Sequence, residues 1–556
     1  MRLVAPLTLC ILATACNREL RSNNHDAWFE LQSEHFTLRT DLEEPEARRA
    51  IADLELLRNA LLAAGWHSKS MSGARIVVVE MMNERELQEF VSDKIEGVTT
   101  TDRFGDRLIV AGDGAGLLDS EVMKHELAHA LLYGFLRTNP RWVQEGIAGY
   151  LEAVTVDRDK GKAVRGKMSG HRLNALRGYR YEWLDWSASV MGLNAEVNDG
   201  NGYAYETLAC SLVHWLAVSH PEGFRAFLSR LSSGEGMWTA FAAAFPDLDE
   251  EAIHGAMTKY LVGREFHKDT VDVPPWSGTV AVRKLPPAEV HALRAQLYES
   301  TYRESRVDHA ADFRRELAAA KALDPANPLA LSLSKDPDAR LATEKHPDDY
   351  RSWLLWFETH QDDHQAIRKA VALAPDNAYA LALLAETEQD EGKPKEAIEH
   401  AERATRNRPG FLSLVVLSAI YDKNGRCSDA LAAQQQALDG MGARVEKKWP
   451  EGFGAQLASL RARCGKDGAT PAFTVEAEPV LRGCSRKPQP GATAGVSAQF
   501  TIRENGTVTG VVLRGASEPL STELRGVLES CSFDPVLVGG QPRQAKLNIK
   551  LDEMLR

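Results

Sequence analysis

His125-Glu126-Leu127-Ala128-His129 lies inside a mostly apolar run, Ser120 to Leu136, whose pattern predicts an α-helix. Residues four positions apart lie one turn apart on the same helix face, so both imidazoles can bind a single metal ion. Glu126 is not placed as a ligand in such an arrangement, but its carboxylate can take a proton from water held by the metal. The stretch predicts a zinc centre, and the alternative is a solvated helix face that carries two histidines by chance.

A second helix is predicted directly downstream, where Asn139-Pro140 suits the start and residues 141–152 continue the pattern. A catalytic zinc ion takes three protein ligands and leaves a fourth position for water or substrate, so a third donor is required. The pattern Trp-x-x-Glu-Gly-x-Ala-x-Tyr at 142–150, after His-Glu-x-x-His, resembles the gluzincin metallopeptidases, particularly the peptidase MA-like group. The resemblance implies that Glu145 is the third zinc ligand, with Glu152 as the alternative.

The same resemblance implies hydrolysis of a peptide or protein substrate, with Glu126 as the general base that later returns its proton to the leaving amine. Members of that family commonly use a Tyr or His from a later helix to stabilise the oxyanion. The candidates in the helical stretch after Gly202 are Tyr203, Tyr205 and His214. Tyr205 is preferred because the stretch from it to Leu216 is similar to the family's helix, and the alternative is a tyrosine packed between helices.

The segment before the metal helix predicts an α+β beginning. The expected elements are a hairpin, a helix and two strands, at 28–31 with 35–38, 44–64, 74–79 and 107–110. The gluzincin resemblance implies that the strand at 107–110, just before the metal helix, pairs with an extended substrate as an edge strand. From 120 to 263 the pattern is helical almost throughout, so the first domain is placed at 27–263. The proline-containing segment 264–288 is predicted to be a linker.

An internal repeat marks a second, all-α domain. Five small or apolar positions recur 33 residues later: Leu381, Leu384, Ala385, Ala397 and Ala404, then Leu414, Leu417, Ser418, Ala430 and Ala437. Gly392 and Gly425 fall at the predicted turns. The spacing resembles tetratricopeptide repeats, which are helical hairpins that stack on their neighbours to bury an apolar face. The array is expected at 289–465, as a solenoid that contacts protein partners.

The last part of the chain predicts a small α+β domain at 472–556. Alternating apolar residues at 496–502 are followed by the turn Asn505-Gly506, a return strand and a short helix near 524–528. With the Phe-x-Pro at 533–535 and the Gly-x-Pro at 540–542, this pattern resembles the TonB C-terminal domain. The resemblance implies a module without catalytic residues that contacts partner proteins in the periplasm.

The first residues predict export. Arg2 is followed by an apolar stretch to Ala13 that is too short to span a bilayer, which takes about 20 residues. Ala13-Thr14-Ala15-Cys16 resembles a bacterial lipobox, which implies a signal peptide at 1–16 and a lipid on Cys16. The expected location is the periplasmic side of the bacterial cell envelope, anchored at the outer membrane. The alternative is a plain secretory signal that contains a cysteine.

Cysteine usage and charge fit an exported protein. Two pairs lie within the expected domains, Cys427 with Cys464 and Cys484 with Cys531, although sequence alone does not fix their connectivity. Cys210 lies in an apolar run, which predicts a buried thiol. The formal charge of -12 and the absence of a basic stripe argue against a nucleic-acid partner.

The predicted protein is a multidomain, lipid-anchored zinc metallopeptidase whose repeat and TonB-like modules contact partners. Two alternatives stay open at this point. One is an inactive assembly lipoprotein whose metal fold no longer catalyses a reaction, and the other is a zinc hydrolase that cleaves a non-peptide amide of cell-wall material.

Overall fold

The structure is a computed structural model that describes most of the chain. The described residues are 27–65, 75–91, 97–104, 107–114, 116–136, 140–176, 190, 202–235, 237–248, 250–263, 266, 268–300, 309–334, 338–408, 410–440, 453–464, 481–489, 492–493, 495–503, 506–533, 536–538, 541–543 and 545–551. The predicted signal peptide 1–16 with Cys16, the segment 472–480 and Asn505 lie outside these residues. Within them the protein is multidomain and mixed α/β, mainly helical, with several separate sheets.

A six-stranded sheet is the base of the N-terminal domain, which we define as the described residues from 27 to 284. The strands are β1 (Phe29–Gln32), β2 (Phe36–Thr40), β3 (Ile76–Glu80), β4 (Gly97–Thr101), β5 (Arg107–Ala111) and β9 (Ala281–Lys284). They are arranged in the order β4-β5-β3-β2-β1-β9. β3 is parallel to β2 and to β5, whereas the other neighbours are antiparallel.

Helices cover both faces of this sheet. They are α1 (Glu44–Gly65), α2 (Glu84–Leu87) and α10 (Pro287–Ser300). Val78 packs in the cluster that contains α1, whereas its neighbour Val79 packs with residues of α2 and α10 on the opposite face. Because successive strand residues point to opposite faces, burial on both sides explains the continuous apolar run at 76–79.

The rest of the N-terminal domain is mostly helical. Its elements are α3 (Glu121–Phe135), α4 (Arg141–Glu152), β6 (Thr155–Asp157), β7 (Lys162–Arg165), α5 (Gly170–Leu176), α6 (Gly202–Ser219), α7 (Pro221–Ser233), α8 (Met237–Ala244), α9 (Glu250–Gly263) and β8 (Asp269–Asp272). The three strands form a small separate sheet in the order β6-β7-β8. The region from 120 to 263 is therefore interrupted by a hairpin that the sequence pattern did not indicate.

The segment 264–288 differs from the expected linker because it contributes strands to both sheets. β8 pairs with β7, and β9 pairs with β1 at the end of the large sheet. An ion pair supports the second pairing, since the Arg283 guanidinium lies 2.9 Å from a carboxylate oxygen of Glu30 on β1. The strand at 107–110 also differs from its expected role, because β5 has neighbours on both sides and β4 occupies the edge.

The described residues from 310 to 464 form an all-helical array. Its helices are α11 (Ala310–Leu323), α12 (Pro328–Ser332), α13 (Ala339–Lys345), α14 (Tyr350–Thr359), α15 (His364–Leu373), α16 (Ala378–Asp390), α17 (Pro394–Asn407), α18 (Phe411–Lys423), α19 (Cys427–Gly440) and α20 (Phe453–Cys464). The repeat positions found in the sequence fall on two successive hairpins, α16–α17 and α18–α19. Their turn residues Gly392 and Gly425 both have φ of 73°, a left-handed conformation that glycine adopts without steric cost.

The C-terminal domain is small and α+β. Its elements are β10 (Leu481–Cys484), β11 (Ser497–Ile502), β12 (Val508–Arg514), α21 (Leu520–Glu529), β13 (Cys531–Phe533), β14 (Val536–Val538), β15 (Gln541–Arg543) and β16 (Ala545–Lys550). β11 lies between β12 and β16, and both pairings are antiparallel.

The disulfides match the pairs that the sequence suggested. Cys427–Cys464 joins α19 to α20, and Cys484–Cys531 joins β10 to β13. Cys210 is a buried free thiol, as predicted. No helix in the described part of the chain is long and apolar enough to cross a membrane.

Candidate metal centre

Helix α3, called the metal helix because it carries the two predicted histidine ligands, begins at a side-chain cap. Ser120 Oγ accepts a hydrogen bond of 2.8 Å from the Met123 backbone N–H and donates one of 2.7 Å to Asp113. This cap satisfies an otherwise unpaired amide of the first helical turn. Leu127 and Leu131 are buried in the core on one side of the helix. His125 and His129 lie on another side and are partly exposed.

Three side-chain atoms converge between α3 and α4. His125 Nε2 lies 3.1 Å from His129 Nε2, and Glu145 Oε2 lies 3.7 Å and 3.5 Å from these two nitrogens. Ligand atoms of a tetrahedral zinc site with bonds of about 2.0–2.1 Å are separated by about 3.3 Å. Among the described residues, no other His, Cys, Asp and Glu donors form a comparable group. The arrangement therefore fits three ligands of one ion.

The charges of this group also suit a cation. Burial lowers the pKa of His125, but the nearby carboxylates of Glu145 and Glu152 outweigh burial and raise the pKa to about 10. Burial works in the opposite direction on Glu145, yet His129 and His125 hold its pKa well below the usual range. Two imidazole nitrogens this close cannot both carry a proton toward each other. A divalent cation would satisfy both nitrogen lone pairs and the carboxylate together.

Glu152 contacts the opposite ring nitrogen of His125, so its position is not that of a third ligand. His125 Nδ1 donates a hydrogen bond of 2.9 Å to Glu152 Oε2. Arg172 donates to both carboxylate oxygens, at 2.6 Å and 2.8 Å, and Ser169 Oγ donates at 2.7 Å. Burial raises the pKa of Glu152, but its partners lower it far more. Glu152 therefore fixes the ring orientation that points His125 Nε2 at the other two donors.

Glu126 lies on the side of the metal helix that faces the edge strand β4. Its backbone carbonyl accepts a hydrogen bond of 3.3 Å from Thr99 Oγ1. A Cβ placed on Gly97 would lie 3.5 Å from Glu126 Cγ and only 2.4 Å from a methyl carbon of Val122. The strand can approach the helix this closely because position 97 has no side chain. Glu126 is partly exposed and is not one of the three convergent donors.

Two glycines allow α4 to pack closely against α6. A Cβ on Gly146 would lie 2.6 Å from the Ala209 carbonyl oxygen, and a Cβ on Gly149 would lie 2.8 Å from Cys210 Cβ. The helices approach closely only where both positions lack side chains. Since Gly146 directly follows Glu145, this contact also sets the position of the third donor.

Tyr205 on α6 lies beside the centre without joining the three donors. Its hydroxyl donates a hydrogen bond of 3.3 Å to the Val190 carbonyl, and the Arg141 guanidinium lies 5.0 Å from its ring centroid. Arg141 in turn reaches Glu145, with 3.6 Å between its Nε and a carboxylate oxygen. The side chain of Tyr203 lies outside the described part of the chain.

His214 is buried away from the three donors. Its Nδ1 lies 2.7 Å from the Tyr260 hydroxyl oxygen, and its Nε2 lies 3.3 Å from the Gly166 carbonyl oxygen. Burial lowers the pKa of His214 to about 4, so the ring is neutral at pH 7. Its contacts are those of a core histidine.

Glu206, on the first turns of α6, is a site residue that the sequence did not indicate. Its carboxylate lies 3.8 Å from Arg172, and its side chain is 28% exposed. Burial and the nearby negative charge of Glu145 raise its pKa. No local motif marks this position, because only the packing of α6 on α4 brings it near the donors.

The fold and the site together define a multidomain, mixed α/β protein with a three-residue candidate metal centre. A scan against protein-family models and a search of curated proteins find no match to this chain. The donors and their surroundings are consequently the basis for assigning a function.

Proposed function

We propose that this protein is a zinc-dependent metallopeptidase that is exported and anchored by lipid in the bacterial cell envelope. The observation that carries the proposal is the convergence of His125 Nε2, His129 Nε2 and Glu145 Oε2 within 3.7 Å of one another. These residues would hold zinc, which supplies a Lewis acid and lowers the pKa of water at a hydrolytic site. The gluzincin resemblance of the two helices agrees with this donor set.

Glu126 is the proposed general base. It follows the first histidine ligand directly and lies outside the donor group, next to β4 and partly exposed. From there its carboxylate accepts a proton from the attacking water and returns it to the leaving amine. The carboxylate of Glu152 cannot take this role, because His125, Arg172 and Ser169 already occupy both of its oxygens.

The proposed substrate is an extended peptide that pairs with β4. This strand is the end of the large sheet and runs beside the metal helix, where Thr99 contacts Glu126. An open strand edge offers backbone N–H and C=O groups to an extended chain. We therefore propose that the substrate pairs with β4, and not with the strand at 107–110.

Tyr205 remains the proposed group for stabilising the oxyanion. In the present conformation its hydroxyl donates to Val190, so the role requires the hydroxyl to turn toward a bound substrate. Protein partners are assigned to the repeat array and to the C-terminal domain, and membrane attachment is assigned to a lipid on Cys16.

The test combines metal analysis with a digest of unfolded casein, using the mature chain from Asn17 without its lipid. We expect Glu126→Gln to keep zinc and lose hydrolysis, because it removes the base and no ligand. We expect His125→Ala and Glu145→Ala to lose the metal. Equal zinc content in the wild type and these three variants would contradict the ligand assignment. Zinc binding without peptide cleavage would instead favour the cell-wall amide hydrolase or the inactive lipoprotein.

A further inference from the structure

The loop that follows β4 is attached to the helical array. Phe104 is 1% exposed, and its ring packs in a cluster with residues of α12 to α16. Its carbonyl accepts a hydrogen bond of 3.0 Å from the Asn377 side chain. Arg103 donates to the Ser332 carbonyl and forms an ion pair of 2.6 Å with Glu358. The array therefore fixes the end of the strand that runs beside the metal helix.

A cavity of about 730 Å³ lies at this junction. Its described walls include Thr100, Asp102 and Arg103 from the N-terminal domain and Tyr379, Phe411 and Leu412 from the array. Thr100 belongs to β4 and lies on the face of the sheet that α10 covers, whereas its neighbour Thr99 contacts the metal helix on the other face, so the cavity and the metal helix adjoin the same edge strand from opposite faces. The volume lies within the range of about 300–1,000 Å³ found for ligand sites.

Leu412 is an unusual wall residue because 46% of it is exposed. The only other large apolar residues with this degree of exposure in the described part of the chain are Leu323 and Val512. An exposed leucine beside Phe411 in a concave wall suits an apolar side chain of a ligand.

Among the described wall residues, the charged side chains have no dominant sign. Two carboxylates, Asp102 and Glu299, are balanced by two guanidinium groups, Arg103 and Arg408. A site for a nucleic acid or another polyanion would have an excess of positive charge. Mixed polar groups around an apolar patch instead suit a polypeptide, which brings neutral backbone amides together with apolar side chains.

We propose that this cavity binds an extended segment of an unfolded polypeptide substrate, with an apolar side chain against Leu412 and Phe411. In this proposal the residues next to that segment pair with the open edge of β4 and cross it toward the metal centre. The inference rests on the proposed function for cleavage, but binding alone does not require it. The proposal identifies the substrate as an unfolded polypeptide that is long enough to occupy both the cavity and the metal centre, in contrast to a dipeptide or tripeptide.

Binding is tested with fluorescein-labelled β-casein, an unfolded polypeptide, and the Glu126→Gln protein, which removes turnover. We expect Leu412→Asp in this background to raise the Kd at least tenfold, as measured by fluorescence polarisation. Leu323→Asp is the matched control, because Leu323 is 57% exposed on another helix of the array and does not line the cavity. It should change the Kd by less than twofold.

The inference is overturned if Leu412→Asp binds casein as tightly as its parent, if both substitutions weaken binding equally, or if the parent does not bind casein. A failure of the proposed function has a different signature. In that case the wild-type protein binds casein in a Leu412-dependent manner but never cleaves it. Cleavage with a KM that is unaffected by Leu412→Asp supports the function and contradicts the inference.

Discussion

At the scale of single residues, Glu152 connects the metal helix to α5. Its carboxylate receives His125 on one side and Arg172 with Ser169 on the other, and the side chain is only 3% exposed. We expect Glu152→Gln to weaken zinc binding by about 10–100-fold, because the amide holds the imidazole less firmly and lowers its basicity. Competition with a chromogenic chelator measures this change.

Glu44→Gln is the control for this substitution, since Glu44 is an exposed helical carboxylate on α1. Its zinc affinity should equal that of the wild type. If Glu152→Gln also binds zinc with unchanged affinity, then the carboxylate does not position His125.

The residues of the centre could be predicted from the sequence, but the separate roles of Glu145 and Glu152 could only partly be predicted. Glu145 and Glu152 are seven positions apart, which is about two turns, so both lie on one helix face and both can point toward α3. Helical periodicity cannot tell which of them reaches the ion-facing nitrogens. That choice depends on Arg172, whose contact with Glu152 is created by tertiary packing.

At the scale of elements, the contact between α4 and α6 controls the third donor. We expect Gly146→Ala to lower the free energy of unfolding by about 1–2 kcal/mol, because overpacking against the Ala209 backbone exceeds the gain in helix propensity. The same change should weaken zinc binding, since it displaces the neighbouring Glu145. Urea unfolding and metal titration measure the two effects.

Gly255→Ala is the matched control, because it lies within α9 and an added Cβ meets nothing within 4 Å. Only helix propensity acts there, so this variant should gain about 0.5–1 kcal/mol of stability. If Gly146→Ala were stabilising to the same extent, the close approach of α4 and α6 would not constrain the site.

Helices and hairpins with local patterns could be predicted, whereas elements that depend on distant partners could not. Glu44–Gly65 and Glu121–Phe135 follow clear apolar periodicity, and the first hairpin pairs as expected. β9 has no apolar alternation, because its strand state depends on a partner about 250 residues earlier and on the pair between Arg283 and Glu30. The edge position of β4 likewise follows from strand order, which local sequence does not encode.

At the scale of the whole molecule, Phe104 links the two largest parts of the chain. We expect Phe104→Ala to lower the free energy of unfolding by about 3–5 kcal/mol and to loosen β4, because it empties a buried site in the array's cluster. Hydrogen exchange measured by mass spectrometry should then show faster exchange in residues 97–101.

Phe453→Ala provides the comparison, because Phe453 is also buried but packs only with residues of the array in its cluster. This variant should lose stability without faster exchange in β4. Equal protection of β4 in both variants would mean that the array does not support the strand.

Both disulfides of the described chain lie after residue 426, in the last repeat and the C-terminal domain. The described N-terminal domain therefore contains no disulfide, whereas the parts of the chain after residue 426 are crosslinked only under oxidising conditions. Material produced in a reducing cytoplasm would match the oxidised protein around His125 and would lack both crosslinks at the far end. A thiol reductant thus offers a way to loosen the last helices of the array and the C-terminal domain while leaving the candidate metal centre intact.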